Sequence, residues 1–82
     1  MRKKINKAIH DPDHYVIVLD YLDKYGRASR RVVSPIRFAA TNRFLALCLC
    51  REEPRTFQME RVTNVHLAPA HEFVMPVPMQ AV

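Results

Sequence analysis

RFLALCLCR, residues 43–51, is the stretch on which the fold turns. Between its two arginines every residue is apolar. Successive side chains of a strand point to opposite faces, so a run that is apolar at both parities belongs to a strand that is central or strongly curved. Thr41 and Asn42 supply turn chemistry just before it, and Glu52, Glu53 and Pro54 form a polar turn just after it. The run is therefore read as the third and central strand of a β domain. Its Cys48 and Cys50 would share one face, a spacing that suits packing and disfavours a disulfide.

Outward from this centre the other strands fall into place. RTFQMERV, residues 55–62, alternates as a fourth strand with Phe57 and Met59 on one side and Thr56, Gln58 and Glu60 on the other. VHL, Val65 to Leu67, is a short fifth. Toward the N-terminus, residues 27–33 read as the second strand, and Ser34 and Pro35 mark a bend or an edge because proline has no N–H to give a ladder. Ile36 to Ala40 continue that strand loosely. YVIVLDYL, within His14 to Leu22, is dense in β-branched and aromatic residues and predicts the first strand. DKYG joins the two, with Gly26, the only glycine, placed where a hairpin needs a positive φ angle. Ahead of it Ile5, Ala8 and Ile9 follow helical spacing, so Arg2 to His10 predict one short amphipathic helix with Lys3, Lys4 and Lys7 on its polar face.

Five short strands after one helix, in 82 residues, predict a mainly β fold closed into a small, strongly bent barrel, since a sandwich needs more strands. The expected organisation is a single domain: an N-terminal helix in 1–12, the barrel in 14–68 and a C-terminal arm in 69–82, where Pro76 and Pro78 interrupt FVMPVPM. No stretch has the length and apolarity of a membrane span, and MRKKINKAIHD has no apolar core of a secretory signal, so a cytoplasmic protein is expected.

Catalysis finds no support in the sequence. There is no Gly-rich phosphate loop, no GxSxG, no HExxH and no carboxylate pair among apolar residues, so no enzyme and no cofactor are expected. His10, His14, His66 and His71 are scattered without ligand spacing, and no metal site is expected. The charge is more informative. Net charge is +5, with nine arginines against four lysines, and arginine is the cation that binds phosphate bidentately and stacks on flat rings. Arg27, Arg30 and Arg31 follow the hairpin turn, Arg43 opens the central strand beside Phe44, and Arg55 and Arg61 bracket Phe57. Two readings of these arginines stand at this stage. They form a groove for phosphates and bases, or they are solvated and pair with Glu52, Glu53 and Glu60. Phe57 is read as core.

The run from Tyr15 to Leu67 resembles the WYL domain, a bacterial regulatory module. Four features carry the likeness in order: an extended run ending in Tyr21 before a Gly turn; R-x-V-x-P at Arg31, Val33 and Pro35; the aromatic-Leu pair Phe44 and Leu45; and R-x-F-x-x-x-R-V at Arg55, Phe57, Arg61 and Val62. HEFVMP is similar to the family's ending. The name-giving triplet reads RFL, with Arg43 in place of the tryptophan and Phe44 in place of the tyrosine. The resemblance implies a five-stranded Sm-like/SH3-like barrel and a ligand-sensing role in transcriptional or defence regulation. It puts the family's basic positions on Arg31, Arg55 and Arg61.

The expected function is thus a non-enzymatic module that holds single-stranded nucleic acid or a nucleotide-like anion through Arg31, Arg43, Phe44, Arg55 and Arg61. A DNA-binding partner domain or chain is expected beside it, because such family members often carry a helix-turn-helix domain for which these residues leave no room. The module is then free-standing or part of a longer regulator. The alternative is a protein-interaction or oligomerisation module, a homodimer included, using barrel edges or the C-terminal arm.

Overall fold

The computed structural model describes residues 2–49 and 51–73. It opens with helix α1, Arg2–His10, which buries Ile5 and Ala8 completely. A nine-residue helix is marginal on its own, and cations in the first turn oppose the helix dipole, so tertiary contacts must hold it. The Arg2 guanidinium lies over the Phe38 ring at 4.4 Å and donates to the Thr41 carbonyl at 2.6 Å. Lys4 Nζ donates to the Val65 carbonyl at 3.2 Å. These contacts bind the helix to the sheet it covers.

The strands are β1 Tyr15–Leu22, β2 Ala28–Ala40, β3 Arg43–Cys48, β4 Glu53–Gln58 and β5 Val62–Pro69, in one antiparallel sheet of order β4-β3-β2-β1-β5. In the β1–β2 turn Gly26 has φ 80°, and Asp23 Oδ1 accepts the N–H groups of Tyr25 at 2.8 Å and Arg27 at 2.9 Å. The side chain thus builds the turn that the sequence placed there.

Three boundaries are set by the structure. The continuation expected of Ile36 to Ala40 is full strand: β2 runs through Pro35 to Ala40, pairing with β1 up to Val33 and with β3 from Val33 onward. Proline is tolerated because its missing N–H falls where β2 has already left β1, and register shifts on either side of Arg37 and Phe38 bend the strand. The third strand stops at Cys48, with Phe44, Ala46 and Cys48 buried and Leu45 and Leu47 half-buried; Cys50 lies outside the described residues. The fourth strand does not reach Val62. It gives way at Met59–Arg61 to a 3₁₀ turn, and β5 begins at Val62, earlier than VHL indicated.

That short turn closes the barrel. β4 and β5 are the two ends of the strand order, and four strand spacings in a flat sheet would part them by about 19 Å. The four Cα–Cα steps from Gln58 to Val62 reach at most about 14 Å, so the sheet has to curl until β4 and β5 approach each other at this turn. Across this closure the Tyr21 hydroxyl on β1 accepts the Gln58 N–H on β4 at 3.2 Å. Inside, Ile5, Ile17, Leu19, Val33, Phe44 and Phe57 pack as one core.

β5 ends in a second 3₁₀ turn, Ala70–Glu72, held by the Ala70 N–H to the His14 carbonyl at 2.8 Å. Residues 74–82, with most of the expected arm, lie outside the described residues. Among the described residues no helix is long and apolar enough to cross a membrane.

Candidate anion-binding cleft

Strand alternation carries the inward face of the barrel past its apolar core at one end. On β1 the inward set runs Ile17, Leu19, Tyr21 and then Asp23. On β2 it runs from Val33 back to Arg31, and on β4 from Phe57 back to Arg55. Apolar side chains therefore give way to polar ones at the barrel mouth. There they border a cleft of about 360 Å³ lined by Tyr21, Asp23, Lys24, Arg31, Arg55, Thr56, Phe57, Gln58 and Arg61. Phe57 is its floor, 2% exposed, with the Tyr21 ring edge-on at 5.1 Å and the Phe44 ring stacked at 5.5 Å beneath.

Arg31, Arg55 and Arg61 are brought together here from β2, β4 and the 3₁₀ turn, far apart in sequence. All three are half-buried, where charge interactions are screened less than at an open surface. Among the described residues the ion pairs are Arg30 with Asp20 at 3.1 Å and His14 with Asp11 at 2.7 Å, so none of the three cleft arginines meets a carboxylate. Arg31 Nε donates only to the Ser29 hydroxyl, at 3.2 Å. Pairing with Glu52, Glu53 or Glu60, the other reading of the sequence, is not what these arginines do.

Neighbouring Arg30 makes the contrast plain. One position along β2, it faces the other way and sits on Asp20, whose hydrogen bond and charge raise the guanidinium pKa further while Arg30 holds the Asp20 carboxyl below the usual carboxylate range. Asp23 is the one acid in the cleft lining, and its Oδ1 already accepts two turn amides.

The remaining expected site residues are not in the cleft. Arg43 is exposed, of opposite parity to buried Phe44, and outside the lining. Phe44 is 0% exposed beneath Phe57, so its ring presents no face to a ligand. Sequence reasoning missed Lys24, Asp23 and Gln58. Period two from Leu19 through Tyr21 leads to Asp23, but only the closed barrel brings the hairpin turn beside β4. Among the described residues no group of three or more His, Cys, Asp and Glu gathers as metal ligands do.

Helix, strand order, three-residue closure and polar mouth define a small Sm-like/SH3-like barrel domain. The WYL domain model matches residues 3–67, and the chain belongs to that family. No curated protein sequence matches it. Among solved structures, proteasome accessory factor B/C (PafBC) of Arthrobacter aurescens is similar in fold, with a TM-score of 0.66 and 22% identity over 99% of this chain. The chain spans 12% of that protein's length.

Proposed function

We propose that this WYL domain is a non-enzymatic sensor of a phosphate-bearing ligand, single-stranded nucleic acid or a nucleotide-like anion, held by Arg31, Arg55 and Arg61 at the barrel mouth. The observation that carries the reading is that three half-buried arginines line one cleft with no carboxylate partner among the described residues. Each fork offers paired N–H donors matched to phosphate oxygens, and a charge-assisted bond of this kind is about twice as strong as a neutral one. The half-buried Tyr21 ring gives a ligand's flat or apolar part a surface to rest on. A sensor of this kind serves cytoplasmic transcriptional or defence regulation through a DNA-binding partner domain or chain.

Fluorescence titration with short single-stranded oligonucleotides tests this. Each phosphate neutralised on a single strand releases bound counterions and contributes about −0.7 to the slope of log affinity on log salt, so affinity falls as salt rises from 50 to 200 mM. The Arg55→Ala, Arg61→Ala double variant binds more weakly and loses less affinity over the same change in salt. Affinity indifferent to salt and to both substitutions refutes the reading.

The alternative, a protein-interaction or oligomerisation module, would use the C-terminal arm or the outer edge of β4, which among the described residues pairs only with β3. Glu53 and Pro54 blunt that edge as charge and proline do on edge strands that avoid pairing. Sedimentation with and without residues 70–82 separates the two: assembly that depends on the tail, with oligonucleotides ignored, favours the alternative.

A further inference from the structure

We infer that the cleft selects a terminal phosphate, the phosphomonoester at a strand end or on a free mononucleotide, over the phosphodiesters of a strand interior. This rests on the reading of the cleft as a phosphate site and narrows it to one chemical group. The first argument is shape. The cleft lies at one end of the barrel and is floored by a ring 2% exposed that packs directly on the core. Its volume of about 360 Å³ is at the small end of ligand pockets, which run from roughly 300 to 1,000 Å³. A single nucleotide unit is the scale that fits.

The second argument is charge. Arg31, Arg55, Arg61 and Lys24 face one acid, Asp23, which is already engaged with the turn. An internal phosphodiester brings one negative charge and two non-bridging oxygens. A phosphomonoester concentrates roughly −1.5 to −2 charge and three acceptor oxygens on one phosphorus near neutral pH. Three guanidinium groups from three separate elements match the higher charge and third acceptor oxygen of a monoester better than the single charge and two free oxygens of a diester. The half-buried Tyr21 ring then faces the sugar or base attached to that phosphate.

The test is competition against a labelled oligonucleotide by unlabelled strands of one sequence carrying a 5′-phosphate, a 3′-phosphate or hydroxyls at both ends, at pH 7.5. One phosphorylated end is expected to bind at least tenfold more tightly than the dihydroxyl strand. The advantage shrinks at pH 5.5, below the second phosphate pKa of about 6, and disappears in Arg55→Gln, whose fold is checked by circular dichroism. A nucleoside monophosphate that competes at similar concentration identifies a free nucleotide as the source; failure to compete, with the end preference intact, identifies a strand end. Equal affinity for all three strands overturns the inference and leaves strand binding standing. No binding by any of them overturns both.

Discussion

Phe57 links the core to the cleft, and replacing it with leucine measures how firmly. The ring is 2% exposed and touches two others, Tyr21 edge-on at 5.1 Å and Phe44 stacked at 5.5 Å. Leucine keeps the burial of an apolar side chain but forfeits both ring contacts, each worth about 0.5–1.5 kcal/mol beyond buried area. The expected loss is therefore about 1–3 kcal/mol. A chain of 82 residues has roughly 4–12 kcal/mol of stability in all, so the variant stays folded with a melting temperature lowered by about 4–8 °C per kcal/mol. Alanine in place of leucine would cost about 3–5 kcal/mol and endanger folding. Urea denaturation followed by circular dichroism supplies the measurement. A double-mutant cycle with Tyr21→Leu isolates the edge-on pair, for which a coupling of about 0.5–1.5 kcal/mol is expected. A Phe57→Leu loss below about 0.5 kcal/mol, or zero coupling, refutes the picture of a wedged aromatic floor.

Further expectations concern the turn, the titrating surface and the name-giving position. Gly26→Ala meets open space but must hold φ near 80°, so it costs roughly 1–2 kcal/mol in urea unfolding. The Asp11 carboxylate raises the His14 pKa through its hydrogen bond. The stabilisation is then complete below the unfolded-state value of about 6.5 and is lost as pH rises through the higher folded value. NMR titration should place the His14 midpoint above that value and return it there in Asp11→Asn. Arg30 lowers the Asp20 pKa, so that pair stabilises above the unfolded carboxylate value of about 3.9 and its contribution fades as pH falls through the lowered folded value. In Arg30→Ala the Asp20 midpoint, followed by carboxyl NMR, rises. Arg43→Ala, outside the cleft, changes oligonucleotide affinity by less than about twofold, against at least tenfold for Arg55→Ala with Arg61→Ala.

Much of the architecture was legible because its causes are local. Apolar spacing at Ile5, Ala8 and Ile9 specifies the buried stripe of α1, Gly26 allows the left-handed residue of the β1–β2 hairpin, and two-residue periodicity sorts each strand into faces. The same periodicity says something about the site: in R-x-V-x-P, Arg31 shares a face with Val33 and Pro35, and in R-x-F, Arg55 shares one with Phe57. Arg30, one step from Arg31, must face away, and it does.

What the tertiary structure alone decided is where those faces meet. Period two reports which side of a strand a residue occupies but not which strands lie opposite, because that depends on closing the whole sheet. The alternation through Met59 looked like continuing strand, yet the link from β4 to β5 had to break into a 3₁₀ turn to bring the sheet edges together. Closure then sealed Phe44 under Phe57 and left Arg43 outside, though both had stood beside the other candidates in sequence. By the same step Arg31, Arg55 and Arg61, drawn from three elements, came to line one mouth. Face is set by each strand's own covalent geometry, whereas proximity is set by the path the entire chain takes around the core.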